Sequence, residues 1–205
     1  MFKNIAALAG LLVSLCVHFA QAAPVPAEAR KQLAAVSAAA VRNYSTRDFG
    51  RDKYPGAISA IVPEASAPAK LAELRRRLPQ GLVAFIGTSN SLAERKVKGV
   101  ELVVGHGSSA VDILEIAQTD AANYGMYPKD VQRKIAAWDK LYGVDVWQAE
   151  TDTIQLKFRK LPPDLKRFAK ELYEFCPDVV DQGVGSLAAL EQALREQHGA
   201  YLWWD

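Results

Sequence analysis

The sequence predicts an α+β fold: a largely antiparallel or mixed sheet, with a split β-α-β order in its C-terminal half and helices packed on one face. Three observations carry this expectation. From residue 112 onward, segments of strand and helix period follow one another as strand, helix, strand, strand, helix, short helix, strand. Residues 144–147 and 153–158 are strand-like runs only a few residues apart, the spacing of an antiparallel hairpin. Val131, Ile135, Trp138 and Tyr142 recur at helical spacing and give one helix a clear apolar stripe.

In chain order, residues 27–44 are alanine-rich and lack glycine and proline, which favours a helix with a weak stripe, read as a loosely docked arm. Residues 45–56 are polar and turn-rich and read as a linker. Residues 57–62 form a short strand. Ser66 and Pro68 then open a helix whose Leu71, Leu74 and Leu78 share a face before Pro79 stops it. Residues 82–86 are a short apolar strand followed by the turn cluster Gly87-Thr88-Ser89-Asn90, and residues 100–104 are another strand. In residues 112–118, Ile113, Leu114 and Ile116 satisfy neither period, and a strand is the favoured reading.

A helix from Pro128 ends at Gly143, and residues 144–147 pair with 153–158, where Ile154, Leu156 and Phe158 point inward and Gln155, Lys157 and Arg159 outward. Pro162-Pro163 opens a helix with Leu165, Phe168, Leu172 and Phe175 on one face. Ser186 caps a last helix using Leu187, Leu190 and Leu194, and Gly199 ends it before a strand at 201–204. The organisation expected is a signal peptide at 1–22, a helical arm and linker at 23–56, and one α+β domain at 57–205.

The N-terminus reads as a cleaved secretory signal. Lys3 supplies a positive charge, residues 5–19 are almost wholly apolar, and Ala20-Gln21-Ala22 places small residues where a signal peptidase reads. The apolar run is shorter than the roughly 20 residues of a spanning helix, and Pro24 and Pro26 follow it. Val13-Ser14-Leu15 before Cys16 ends in a bulky residue, against a lipoprotein site. No later segment is long and apolar enough to span a bilayer, so the mature chain is expected to be soluble in the periplasm or medium. With 25 basic against 23 acidic side chains, no counterion-release partner such as nucleic acid is indicated. The basic run Arg75-Arg76-Arg77 reads as a solvated helix face.

Cys16 leaves with the signal, making Cys176 the only thiol of the mature chain, unable to form an intramolecular disulfide. Such a cysteine is buried and inert, paired between chains, or chemically used.

Thr119-Asp120-Ala121-Ala122-Asn123-Tyr124-Gly125, then Trp138, Tyr142-Gly143, Phe175-Cys176-Pro177-Asp178-Val179-Val180-Asp181-Gln182-Gly183 and finally Tyr201-Leu202-Trp203-Trp204-Asp205 together resemble the bacterial domain-of-unknown-function family 4253. The resemblance spans roughly residues 80–205 and is carried by rare residues recurring in order. It brings no activity, cofactor or site residue with it.

The chemistry is therefore weighed residue by residue. Cys176 lies at a helix end, where the dipole raises a thiol pKa, so a buried cysteine is the favoured reading; a catalytic set needs His198 or His106 folded onto it. No metal-ligand spacing is present, and no cofactor is expected. The clusters Gly105-His106-Gly107-Ser108-Ser109 and Gly183-Val184-Gly185-Ser186 lack the phosphate-loop lysine and read as turns and N-caps, and no Gly-x-Ser-x-Gly supports a serine nucleophile. The sharper candidate is an acidic aromatic surface. Tyr201 or Trp204 in a groove, with Asp178, Asp181 and Asp205, and with Asn123, Tyr124 and Gln182 beside them, forms a site for a protein or small ligand, set against plain aromatic core packing. The function expected is an exported, non-enzymatic binding or interaction protein of inhibitor or immunity-like type; the alternative is a small cysteine-dependent enzyme using Cys176 with His198 or His106.

Overall fold

The computed structural model describes residues 23–45, 53–88 and 98–205. The signal segment and part of the expected linker and turn cluster therefore lie outside the described residues. The elements are α1 (Ala27–Ser37), β1 (Arg42–Ser45), β2 (Lys53–Val62), α2 (Ala67–Arg77), β3 (Leu82–Ile86), β4 (Val100–His106), α3 (Ala110–Ala117), α4 (Pro128–Tyr142), β5 (Val144–Ala149), β6 (Thr153–Phe158), α5 (Leu165–Phe175), α6 (Leu187–Gln197) and β7 (Gly199–Trp203). The strands form one mixed sheet in the order β1-β2-β4-β3-β5-β6-β7. Every pairing is antiparallel except β3 with β5. The fold is α+β, as the order of periods predicts.

Strand alternation sends the apolar residues of the first four strands to both faces. Ile58, Ala60 and Val62 of β2, with Leu102 and Val104 of β4, pack under α1 and α2; Ala57, Phe85 and Val103 join the second core, under α3 to α6. The helices of the C-terminal half thus share one face, and the two N-terminal helices occupy the other.

Three local expectations are corrected. Residues 112–118 are not a strand but lie in and at the end of helix α3. Its start is fixed by a capping box in which Ser109 Oγ accepts from the Asp112 backbone N–H, while the Asp112 carboxylate accepts from Ser108 N, Ser109 N and Ser109 Oγ. Ile113, Leu114 and Ala117 are buried at helical spacing, but the stretch covers only about two turns and the buried Ile116 beside the exposed Glu115 blurs the period. The arm at 27–44 is not one helix. It ends at Ser37 because Ala38 turns left-handed, with φ of 55°, and the chain then pairs as β1 with β2. It is also docked, since Ala29 and Leu33 are fully buried against the sheet. The expected linker at 45–56 contributes the end of β1 and the start of β2.

The parallel junction is the weak seam of the sheet. β3 and β5 share the single register pair Ile86↔Gln148. Below it, the strands part around a cavity of about 290 Å³ lined by Leu82, Ala84, Val144 and Val146. Arg75 of α2 crosses the gap: its Nε donates to Ala84 O at 2.8 Å, Nη2 to Val146 O at 2.7 Å and Nη1 to Asp145 Oδ1 at 2.8 Å. A rigid guanidinium fork suits two carbonyls on separated strands. Arg75 is therefore a bridge between two half-sheets, correcting its reading as part of a solvated basic run. Arg77 keeps that reading, paired with Glu73 one turn away.

Aromatic packing fills the larger core. Trp138 stands edge-on to Phe168 at 5.1 Å and Phe175 at 5.4 Å, and its indole N–H donates to Glu171 at 2.8 Å.

Candidate functional site

The two rarest stretches of the sequence lock onto each other. Phe175 and Cys176 close α5, and Asp178 leads into a π-helical turn, Val179–Val184; this turn and the end of β7 meet at the sheet edge. The Cys176 thiol donates to Trp203 O at 2.9 Å. Trp204, 2% exposed, donates from Nε1 to Phe175 O at 3.1 Å and stacks edge-on against the Phe175 ring at 5.3 Å. Asp178, 3% exposed, accepts from the Asp205 backbone N–H at 2.9 Å, from Tyr124 Oη at 2.6 Å and from Gln182 Nε2 at 2.9 Å. Gly183 sits where any Cβ would collide with the Trp203 ring. The result is a clasp that fastens the end of β7 to the end of α5.

Electrostatics follow from this wiring. Burial pushes the Asp178 carboxyl up, but donation by Tyr124, the Asp205 amide and Gln182 outweighs it and holds the carboxyl below its usual range. The same bond from the other side, with burial and the carboxylate charge, lifts the Tyr124 phenol to about 12. Burial pushes the Cys176 thiol to about 12, against the weaker pull of its backbone hydrogen bonds.

Of the expected binding residues, Tyr124, Asp178, Gln182, Trp204 and Asp205 do come together, but as internal fastening. Asp181 lies apart on the turn, accepting from Tyr173 Oη at 3.1 Å, and Asn123 is exposed on the short helical turn that carries Tyr124. Tyr201 belongs to the opposite face of the sheet, because Leu202 beside it points into the core.

The proposed catalytic partners stay away from Cys176. His198 is exposed and ends α6 in a left-handed conformation, φ 51°. It is five residues from Trp203, about 16 Å along an extended strand. This also places the helix terminus at His198, one residue before the Gly199 expected. His106 is exposed at the end of β4, four strand spacings from β7, on the order of 19 Å, and its ring meets Pro24 O at 3.3 Å. Among the described residues, no group of three or more His, Cys, Asp or Glu side chains is placed to hold a metal ion, and no helix is long and apolar enough to cross a membrane. The two glycine clusters end as caps: Asp112 fills the start of α3, and Ser186 Oγ accepts from Ala189 N at 3.1 Å at the start of α6.

A surface of which the sequence reading named only Tyr201 lies on the other face of the sheet. α1 and α2 cover the first four strands there, and no described helix covers β5, β6 and β7. A β-bulge inserts Trp147 between the pairs Val146↔Leu156 and Gln148↔Gln155, so Trp147 and Gln148 turn side by side to this face instead of alternating. With Gln155, Tyr201 and the start of α2 they line a hollow of about 480 Å³. Gln155 Nε2 donates to Gln148 Oε1 at 2.8 Å and Gln148 Nε2 to Glu150 Oε1 at 2.9 Å, which fixes both amides. Tyr201, 47% exposed, leans on Trp203 with ring centroids 4.8 Å apart. Nothing in residues 144–149 alone announces this, because the bulge exists only in the pairing with β6.

The family model described as Domain of unknown function (DUF4253) matches residues 101–205, a later start than the 80 expected. No curated protein and no solved structure matches the chain. The matched segment holds both halves of the clasp and just over half of the 205 residues, and the chain belongs to the DUF4253 family.

Proposed function

We propose that the protein is an exported, non-enzymatic binding protein of inhibitor or immunity-like type, and that it binds through the uncovered face of β5, β6 and β7. One observation carries the reading: the bulge in β5 sets Trp147 and Gln148 beside Tyr201 in an open hollow of about 480 Å³, a size and mix of aromatic and fixed polar groups typical of binding sites. The alternative, a cysteine-dependent enzyme, has its thiol buried, bonded to Trp203 O and shifted up to about 12, with both histidines distant. Export rests on the apolar stretch at 5–19 and Ala20-Gln21-Ala22 alone.

The test is affinity capture from the periplasm and medium of the native host with wild type, Cys176→Ala, Trp147→Ala and Tyr201→Glu proteins. A ligand or partner held by wild type and Cys176→Ala but lost from the two face variants supports the reading. Capture that depends on Cys176 and ignores Trp147 and Tyr201 overturns it.

A further inference from the structure

The open face has a charge that differs from that of the whole chain. Beside the hollow that Tyr201 shares with Trp147 lies a second, of about 180 Å³, lined by Tyr201, Trp203, Thr153, Asp152 and Asp205. Tyr201 lines both, and the pair of hollows flanking it is the groove. Among the described residues, the charged ones lining it are Glu64, Asp152 and Asp205. Lys157 lies on this face only at its far end, across from Asp145 on β5. The chain as a whole carries +2. Glu150 and Asp152 act on the groove together, since after burial their charges are what raise the Tyr201 phenol.

We infer that this groove docks a basic polypeptide segment of another protein, with an arginine stacked on the Tyr201–Trp203 pair and its neighbouring cations facing Asp152, Asp205 and Glu64. The inference rests on the binding reading above and names the chemistry of the partner. A guanidinium is suited to both parts of the groove. Its flat face lies on aromatic rings and its edge donates to carboxylates. An anionic partner would meet the three carboxylates Glu64, Asp152 and Asp205. Two hollows on either side of Tyr201 fit a chain carrying several side chains better than a single small cation.

The experiment titrates the purified protein with a short peptide of alternating arginine and serine, a matched glutamine-serine peptide and a glutamate-serine peptide, following tryptophan fluorescence at low and high salt. The arginine peptide is expected to bind and to weaken as salt screens the carboxylates. Tyr201→Ala should weaken it about tenfold, the scale of a lost cation–π contact. Asp152→Asn with Asp205→Asn should weaken it severalfold with the fold intact by circular dichroism, since both side chains are exposed. Absence of binding, or arginine binding that Tyr201→Ala leaves unchanged, overturns the inference. Equal or better binding of the glutamine or glutamate peptide, lost in Tyr201→Ala, overturns the charge assignment while leaving the open face as a binding surface. The binding reading itself fails only if no captured component depends on Trp147 or Tyr201.

Discussion

Replacing Arg75 by alanine should cost this fold more than its place in a run of three arginines suggests. The side chain makes two hydrogen bonds to backbone carbonyls, Ala84 O and Val146 O, at a seam where the strands hold only one register pair of their own. Hydrogen bonds to a charged group contribute about 1.5 to 3 kcal/mol each. The guanidinium is 29% exposed and faces a water-accessible cavity, so the lower figure applies to each. The ion pair to the half-exposed Asp145 adds no more than about 1 kcal/mol. The expected loss is about 3 kcal/mol, or a fall in Tm of roughly 6 to 12 °C for a chain of this size. Urea denaturation should show a lower midpoint with an unchanged slope if the half-sheets still unfold together, and a reduced slope if the seam parts first. Arg75→Lys should recover only part of the loss, because one ammonium cannot reach both carbonyls along the fork directions. Arg76→Ala, which changes a neighbour with no such contacts, serves as the control and should stay within about 0.5 kcal/mol. A loss below about 1 kcal/mol for Arg75→Ala would refute the bridging role.

Three further outcomes are expected. Leu33→Ala should destabilise by about 3 kcal/mol in the same denaturation assay, as for a fully buried leucine, whereas an undocked N-terminal helix would give almost no change. Cys176 should resist alkylation in the native protein at neutral pH and react on unfolding; rapid native labelling would contradict the buried neutral thiol. The Asp178–Tyr124 pair should make stability fall at both ends of the pH scale. Asp178, held low in the fold, contributes stability above the unfolded carboxylate value near 4 that disappears as pH drops through its folded value; Tyr124 contributes stability below its unfolded value of about 10 that disappears as pH climbs through its folded value of about 12. Asp178→Asn should remove the acid component and bring the Tyr124 titration, followed by ultraviolet absorbance, back toward the ordinary tyrosine range.

Where residues alternate or recur cleanly, the fold was legible. Residues 82–86 and 153–158 were expected as strands and are β3 and β6, and the stripe Val131, Ile135, Trp138 lies on the buried side of α4. The losses have physical causes. In helix α3 the buried Ile116 beside the exposed Glu115 blurs the period over a short window, though Ser109 and Asp112 held the signature of its start. The break at Ala38 requires a left-handed alanine, which tertiary packing imposes and no local preference announces. At the candidate site, the rarity of Phe175-Cys176-Pro177-Asp178 and Trp203-Trp204-Asp205 was visible, but rarity could not separate a catalytic set from a clasp. That distinction needed the direction of the Cys176 thiol and the depth of Asp178. The Trp147 bulge depends on pairing with β6 and has no counterpart in single-strand patterning.

The place of β4 in the sheet bears on where the family's boundary falls. The matched segment begins at Glu101, inside β4, while both of that strand's neighbours, β2 and β3, come earlier in the chain. A fragment cut at the boundary would carry Leu102, Val103 and Val104 with two open hydrogen-bonding edges and no α1 or α2 to cover them. Glu101 would lose Arg42 and Ser59, which now hold it at 2.6 and 3.0 Å. Such a strand is a template for intermolecular pairing. For this chain, therefore, the segment recognised by sequence is smaller than the unit that folds, and the residues before 101 act as the missing partners that keep β4 out of aggregates.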